Sequence, residues 1–148
     1  NFTFDMGFNY SIGGDVYNYQ RSVLNSGSNF YNQQVAMIGH WRYEGHEANL
    51  PKVAFGDPMN NNRFSDRWIE DGSYLRLKTV KLTYDIPVVA NWLQGLTVWC
   101  AAENLCTFTK YQGADPEFSV NNNILYQGVD AGLLPQTRSF HLGVKVNL

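Results

Sequence analysis

A chain of 148 residues with a formal net charge of −2 offers no basic surface for nucleic acid, and no apolar run approaches the roughly 18 residues that a membrane-spanning helix requires. Charged residues make up only 16% and aromatics 15%, with Gly and Asn plentiful, a balance that favours strands joined by long polar connections. A barrel strand shows lipid only alternate side chains, so moderate hydropathy is compatible with strands that cross a membrane.

The first predicted strand, residues 2–12, alternates without a break. Phe2, Phe4, Met6, Phe8, Tyr10 and Ile12 are apolar, while Thr3, Asp5, Gly7, Asn9 and Ser11 are polar or Gly. The chain starts at Asn1 already inside this pattern, which reads as a cut within a larger protein. Residues 13–73 form a long connection. A short helix is predicted over residues 30–41, capped by Ser28 or Asn29, with Val35, Ile38 and Trp41 on one side; Gly56-Asp57-Pro58 and Asn60 to Asn62 read as irregular.

The second strand, residues 74–87, carries two phases: Leu75 and Leu77, then Val80, Leu82, Tyr84 and Ile86. A β-bulge at Lys78-Thr79 would return both sets to one face, and Pro87 would end the strand. A short turn is expected at residues 88–94. The third strand, residues 96–111, places Leu96, Val98, Cys100, Ala102, Cys106 and Phe108 on one side, interrupted by Asn104. Cys100 and Cys106 on one strand would stand about 20 Å apart, too far for a disulfide. After a second long connection, residues 112–137, the fourth strand covers residues 139–148, about the length of a tilted strand crossing a bilayer. Long, short and long connections match the extracellular loops and periplasmic turns of outer-membrane barrels. The expected fold class is all-β, the antiparallel strands of a transmembrane β-barrel.

With strands and loops placed, several blocks resemble the SusC/RagA family of TonB-dependent outer-membrane transporters. Residues 65–78, containing Arg67, Trp68, Gly72 and Arg76, resemble the entry to a late barrel strand, and residues 80–87 resemble its exit. Residues 104–111 from Asn104, followed by Gly113 and Asp115-Pro116-Glu117, resemble the next strand and its outward turn. Residues 135–140, with Gln136 and Arg138, resemble the start of the final strand. His141, Gly143, Val146 and Leu148 also resemble the C-terminal signal read by barrel-assembly machinery, although many such proteins end in Phe. The resemblance covers residues 65–148; earlier residues match only in general character. It implies a 22-stranded barrel closed by a plug, surrounded by outer-membrane lipid and importing glycans or peptides. It also implies a SusD-like surface lipoprotein as lid and the TonB complex as drive. The plug and the remainder of the barrel are not in this chain. No cofactor, metal or catalysis is implied.

Aromatic residues in the long connections, Tyr17, Tyr19, Trp41, Tyr43 and Tyr126, are candidates for contact with ligand or lid. Phe2, Tyr10, Tyr84, Trp92, Phe108 and Phe140 lie at or near strand ends, where interfacial belts form. Enzyme readings are poorly supported. His46-Glu47 begins a zinc-protease motif, but Leu50 stands where its second His would be. His40, Glu44 and His46 are better read as solvated loop residues. Asp115 and Glu117 around Pro116, and Glu70 with Asp71 before Gly72, are carboxylate pairs that glycoside hydrolysis could use, yet both read more simply as turn formers. A soluble carbohydrate-binding β-sandwich is the alternative. It would need more strands at 8 to 12 residue spacing than the long connection leaves room for.

Overall fold

The computed structural model describes residues 1–87, 94–117 and 127–147. Trp92, Tyr126, Leu148 and most of the expected 88–94 turn lie outside them. In chain order the elements are β1 (Phe2–Ser11), β2 (Asp15–Asn18), α1 (Tyr19–Leu24), 3-10 turns at Val35–Gly39 and Asp66–Trp68, β3 (Ile69–Asp71), β4 (Tyr74–Ile86), β5 (Gly95–Thr109), β6 (Val129–Asp130) and β7 (Ser139–Asn147). They divide into two compact units: residues 1–13, 73–110 and 135–148, and residues 14–72 and 111–134.

The first unit is a four-stranded antiparallel sheet in the order β1-β4-β5-β7. Its register explains the alternation. Phe4 stands opposite Leu82, Leu82 opposite Cys100, and Cys100 opposite Leu142, so one row of apolar side chains crosses all four strands. Met6, Val80, Ala102 and Phe140 form the next row. The register slips between Leu77 and Thr79 on both sides of β4, which leaves Lys78 as a bulged residue. Phe8 and Tyr10 thereby meet Leu77 and Leu75 on the same face. β5 answers with Asn104 and Leu105 between the partners of Leu77 and Thr79. Asn104 adopts φ +52°, a left-handed conformation that Asn tolerates better than most residues, so its interruption of the pattern is the backbone kink itself.

The apolar face is open. Phe2, Phe140 and Leu142 are each more than 70% exposed. Strands of 13 and 15 residues exceed the usual five or six of soluble sheets. Long strands with a continuous uncovered apolar face fit lipid contact. The opposite face carries Asp5, Lys81, Thr83, Trp99, Glu103, His141 and Lys145. Both long connections leave and re-enter the sheet at the end where Ser11 meets Tyr74 and Tyr74 meets Thr109.

The second unit holds a small mixed sheet, β3-β2-β6, in which β2 pairs antiparallel with β3 and parallel with β6. Its core is Met37, Leu50 and Trp68, with Tyr17 and Val53 packed against it. The helix expected over residues 30–41 is not formed. Only the 3-10 turn Val35–Gly39 lies there, and the α-helix is Tyr19–Leu24. Asn29 closes a local turn by accepting the Tyr31 N–H at 3.0 Å, where capping had been expected. Asn18 is the actual cap, its side chain accepting the Arg21 N–H at 2.9 Å. The Asn run is ordered by Asp57, whose carboxylate accepts the N–H groups of Asn61 and Asn62 at 2.9 and 2.8 Å.

Candidate ligand-binding clefts in the loop unit

Glu70 organises the second unit. It lies on β3, its side chain is only 9% exposed, and it gathers three donors. Arg21 Nη1 donates to Oε1 at 2.6 Å and Asn18 Nδ2 to the same oxygen at 3.2 Å, while the Gln112 N–H donates to Oε2 at 2.8 Å. The turn-forming role expected of Glu70 and Asp71 is therefore replaced for Glu70 by a buried junction of α1, β2, β3 and the second connection. A charged hydrogen bond of this kind contributes roughly 1.5–3 kcal/mol, and stranding the acceptor costs a similar amount. Gly72 follows because the chain must pass Gly14 closely: its N–H donates to the Gly14 carbonyl at 2.9 Å, and a Cβ would fall 2.7 Å from Val16 Cγ2.

A second junction joins Tyr111, which is 6% exposed, to Asp130. The Tyr111 hydroxyl donates to Asp130 Oδ2, and Oδ1 accepts the Gly132 N–H at 2.8 Å. Burial first, then the Asp130 hydrogen bond and the negative charges of Asp130 and Glu70, push the Tyr111 phenol well above the ordinary tyrosine range.

Among the described residues of this unit, clefts open at three places. The first, about 570 Å³, is lined by Tyr17, Tyr19, Phe64, Ser22, Ser26, Ser28, Asn29 and Asn62, with no charged side chain among the described lining residues. Tyr17 stacks on Phe64 at 4.6 Å between ring centroids, so the cleft combines aromatic faces with hydroxyl and amide groups. The second, about 360 Å³, is lined by Arg21, Arg67, Asn25, Gln34, Asn49 and Gln112, with Ala36, Gly39 and Leu50. The guanidinium carbons of Arg21 and Arg67 lie 5.5 and 5.8 Å from the ring centre of Trp68, which is 1% exposed. The third adjoins the second through Gly39 and Asn49 and adds Trp41, His46 and Glu47.

The candidate aromatics thus do not converge on one site. Tyr17 and Tyr19 share the uncharged cleft, Trp41 lines another, and Tyr43 is exposed and stacks on His46 at 5.1 Å. His40 Nδ1 lies 2.6 Å from the Met37 carbonyl oxygen. Asp115 is buried and its Oδ1 accepts the Glu117 N–H at 2.9 Å across Pro116, closing a turn. Sequence reasoning missed Arg21, Asn18 and Asn25, because their roles depend on partners far along the chain and follow no local spacing. Trp68 stands out in the sequence only within residues 65–78, the segment that resembles a late-strand entry.

In the wall, Arg76 is 2% exposed on the polar face and its Nε donates to Thr107 Oγ1 at 2.9 Å. Asn104 Nδ2 donates to the Thr137 carbonyl at 3.0 Å. Gln136 and Arg138 are exposed in the approach to β7. His141 and Gly143 lie on the polar face and Val146 on the apolar face. Gly143 has a local reason of its own: the Trp99 ring lies across it, so that a Cβ would fall 2.4 Å from ring atoms, and Lys81 Nζ sits 5.6 Å from the centre of that ring.

No protein-family profile matches the chain. TonB-dependent receptor P3 of Formosa agariphila is 31% identical over 154 residues, covering 99% of this chain and 15% of that receptor. TonB-dependent receptor P26 of the same organism is 30% identical over 155 residues, again 99% of this chain and 15% of the receptor. The chain therefore spans about 15% of the length of these curated relatives. Among solved structures, the RagAB peptide importer in an open-open state matches with a TM-score of 0.82 at 27% identity, over 99% of this chain and 16% of that one. Its closed-closed state matches with a TM-score of 0.81 at 28% identity, over 98% and 15%.

Proposed function

Because the chain belongs to the TonB-dependent receptors of the SusC/RagA type, we propose that it forms part of an outer-membrane importer for glycans or peptides, with no chemistry performed on the cargo. The observation that carries this reading is the apolar face that runs unbroken across β1, β4, β5 and β7. Water would penalise such a face heavily and lipid would not. The polar face then lines the barrel interior, and residues 14–72 and 111–134 supply two extracellular loops. His141, Gly143, Val146 and Leu148 act in barrel assembly. Tyr17, Tyr19, Trp41, Tyr43 and Tyr126 are assigned to cargo or lid contact.

A SusD-like lipoprotein is the proposed lid. Its support here is an exposed aromatic surface: Phe30 and Phe55 stack at 4.8 Å while remaining 92% and 69% exposed. The TonB complex would drive transport through the plug of the complete receptor. A soluble β-sandwich fits less well, since a sandwich covers the apolar face of one sheet with a second.

The test is fractionation of the native receptor. It is expected in detergent-extracted outer membranes, with a shift in electrophoretic mobility on heating, and uptake of its nutrient is expected to stop when TonB is removed. Recovery wholly in the soluble fraction would overturn the reading.

A further inference from the structure

We propose that the cleft lined by Arg21, Arg67, Asn25, Gln34, Asn49 and Gln112 is a subsite for a carboxylate of an oligopeptide. The inference rests on the importer reading and adds a cargo chemistry to it. Three observations converge. First, among the described residues the lining contains two arginines and no carboxylate. Arg21 is already paired with Glu70 at 2.6 Å, whereas Arg67 has no acidic partner among the described residues. Its guanidinium rests on the Trp68 ring, which holds the planar donor fork in place without neutralising it. A pre-set, unneutralised guanidinium beside a second one favours a planar anion that can accept two parallel N–H bonds.

Second, Asn25 is 3% exposed, and its Oδ1 is a buried acceptor without a hydrogen-bond partner. Its Nδ2 is already committed to Gln34 Oε1 at 2.8 Å. A buried acceptor of this kind calls for a donor, and a backbone N–H next to a carboxylate supplies one. Third, the rest of the lining is rich in side-chain amides, from Gln34, Asn49 and Gln112, which suit the alternating donors and acceptors of peptide backbone. Among the described residues, the cleft has no aromatic face on which a sugar ring could stack. The neighbouring uncharged cleft, with Tyr17, Tyr19 and Phe64, has that character instead. At about 360 Å³ the arginine cleft holds a terminal residue or two rather than a whole cargo chain.

The carboxylate could be the C-terminus of the peptide or an Asp or Glu side chain, and the experiment separates them. The complete receptor, purified in detergent, is equilibrated with three mixtures of random hexapeptides, and retention is read by mass spectrometry. One mixture lacks acidic residues and has free C-termini, one lacks them and is C-terminally amidated, and one is amidated but contains acidic residues. Retention of the first or the third should exceed that of the second by roughly tenfold or more, the value of a charged hydrogen bond. Arg67→Gln should abolish the preference, and Arg67→Lys should keep part of it. Both variants should retain heat-modifiable mobility, which reports an intact barrel.

Equal retention of all three mixtures, or a preference that survives Arg67→Gln, would overturn the proposal. So would retention of a glucuronate oligosaccharide with none of the peptides. Loss of heat-modifiable mobility in Arg67→Gln and Arg67→Lys alike, with no peptide preference in the wild type, would also overturn it, by assigning the cleft to a carboxylate of the receptor itself. Failure of the importer reading looks different: the receptor would be soluble, or uptake would not depend on TonB.

Discussion

The wall sheet and the loop unit solve the same problem with opposite means. In the wall, backbone pairing along strands of 9 to 15 residues supplies the order, and the apolar side chains stay exposed. In the loop unit, strands of 2 to 4 residues supply little pairing. Order comes there from a small core around Trp68 and from buried polar junctions at Glu70 and Asp130. The lesson is that one chain can be written in two languages, a periodic one for a sheet with an open apolar face and an aperiodic one for loops held by specific partners.

The largest effect that would separate the two regions is expected from Trp68→Ala. Removing a side chain that is 1% exposed should cost the loop unit about 3–5 kcal/mol. Limited proteolysis is expected to cut within residues 14–72 while the heat-modifiable barrel persists. Leu142→Arg tests the other region. An arginine in the apolar row with Phe4, Leu82 and Cys100 should cost about 2–4 kcal/mol against lipid and lower the amount of assembled receptor, whereas Thr83→Arg on the polar face should leave assembly unchanged.

Glu70→Gln should weaken the loop unit by roughly 1.5–3 kcal/mol, read as faster hydrogen exchange around α1 and β3. The smallest effect is expected from Tyr111→Phe, about 1 kcal/mol. Its signature is spectroscopic. The raised phenol stays protonated in the folded state where an unfolded tyrosine, with a pKa near 10, would ionise. That contribution to stability is therefore complete below about pH 10 and is lost as pH rises toward the folded value. Alkaline titration should show one fewer late-ionising tyrosine in the variant than in the wild type.

Legibility in the sequence follows the same divide. Period-two alternation revealed β1 and β7 directly, and the phase slip at Lys78-Thr79 located the bulge, because a strand with one uncovered face must keep its apolar side chains in register. The loop unit gave no such signal. Its helix was expected at residues 30–41, where Val35, Ile38 and Trp41 suggest a helical stripe, yet Val35 and Ile38 remain exposed and give a helix nothing to pack against. The real helix has six residues, too few for a periodic pattern, and exists because Asn18 caps it and Arg21 reaches Glu70. Asn18 and Glu70 are 52 positions apart, and no local rule connects them. The arginine cleft was hidden for the same reason, while Tyr17 and Tyr19 stood out only by composition.

The parallel pairing of β2 with β6 carries a consequence for how the receptor is made. Tyr17 stands opposite Val129, residues far apart in sequence. Pairing them closes a long interval of chain, which is slow. The parallel bridge, and the Tyr111–Asp130 junction beside it, should therefore be among the last parts of the loop unit to gain protection from hydrogen exchange as it folds.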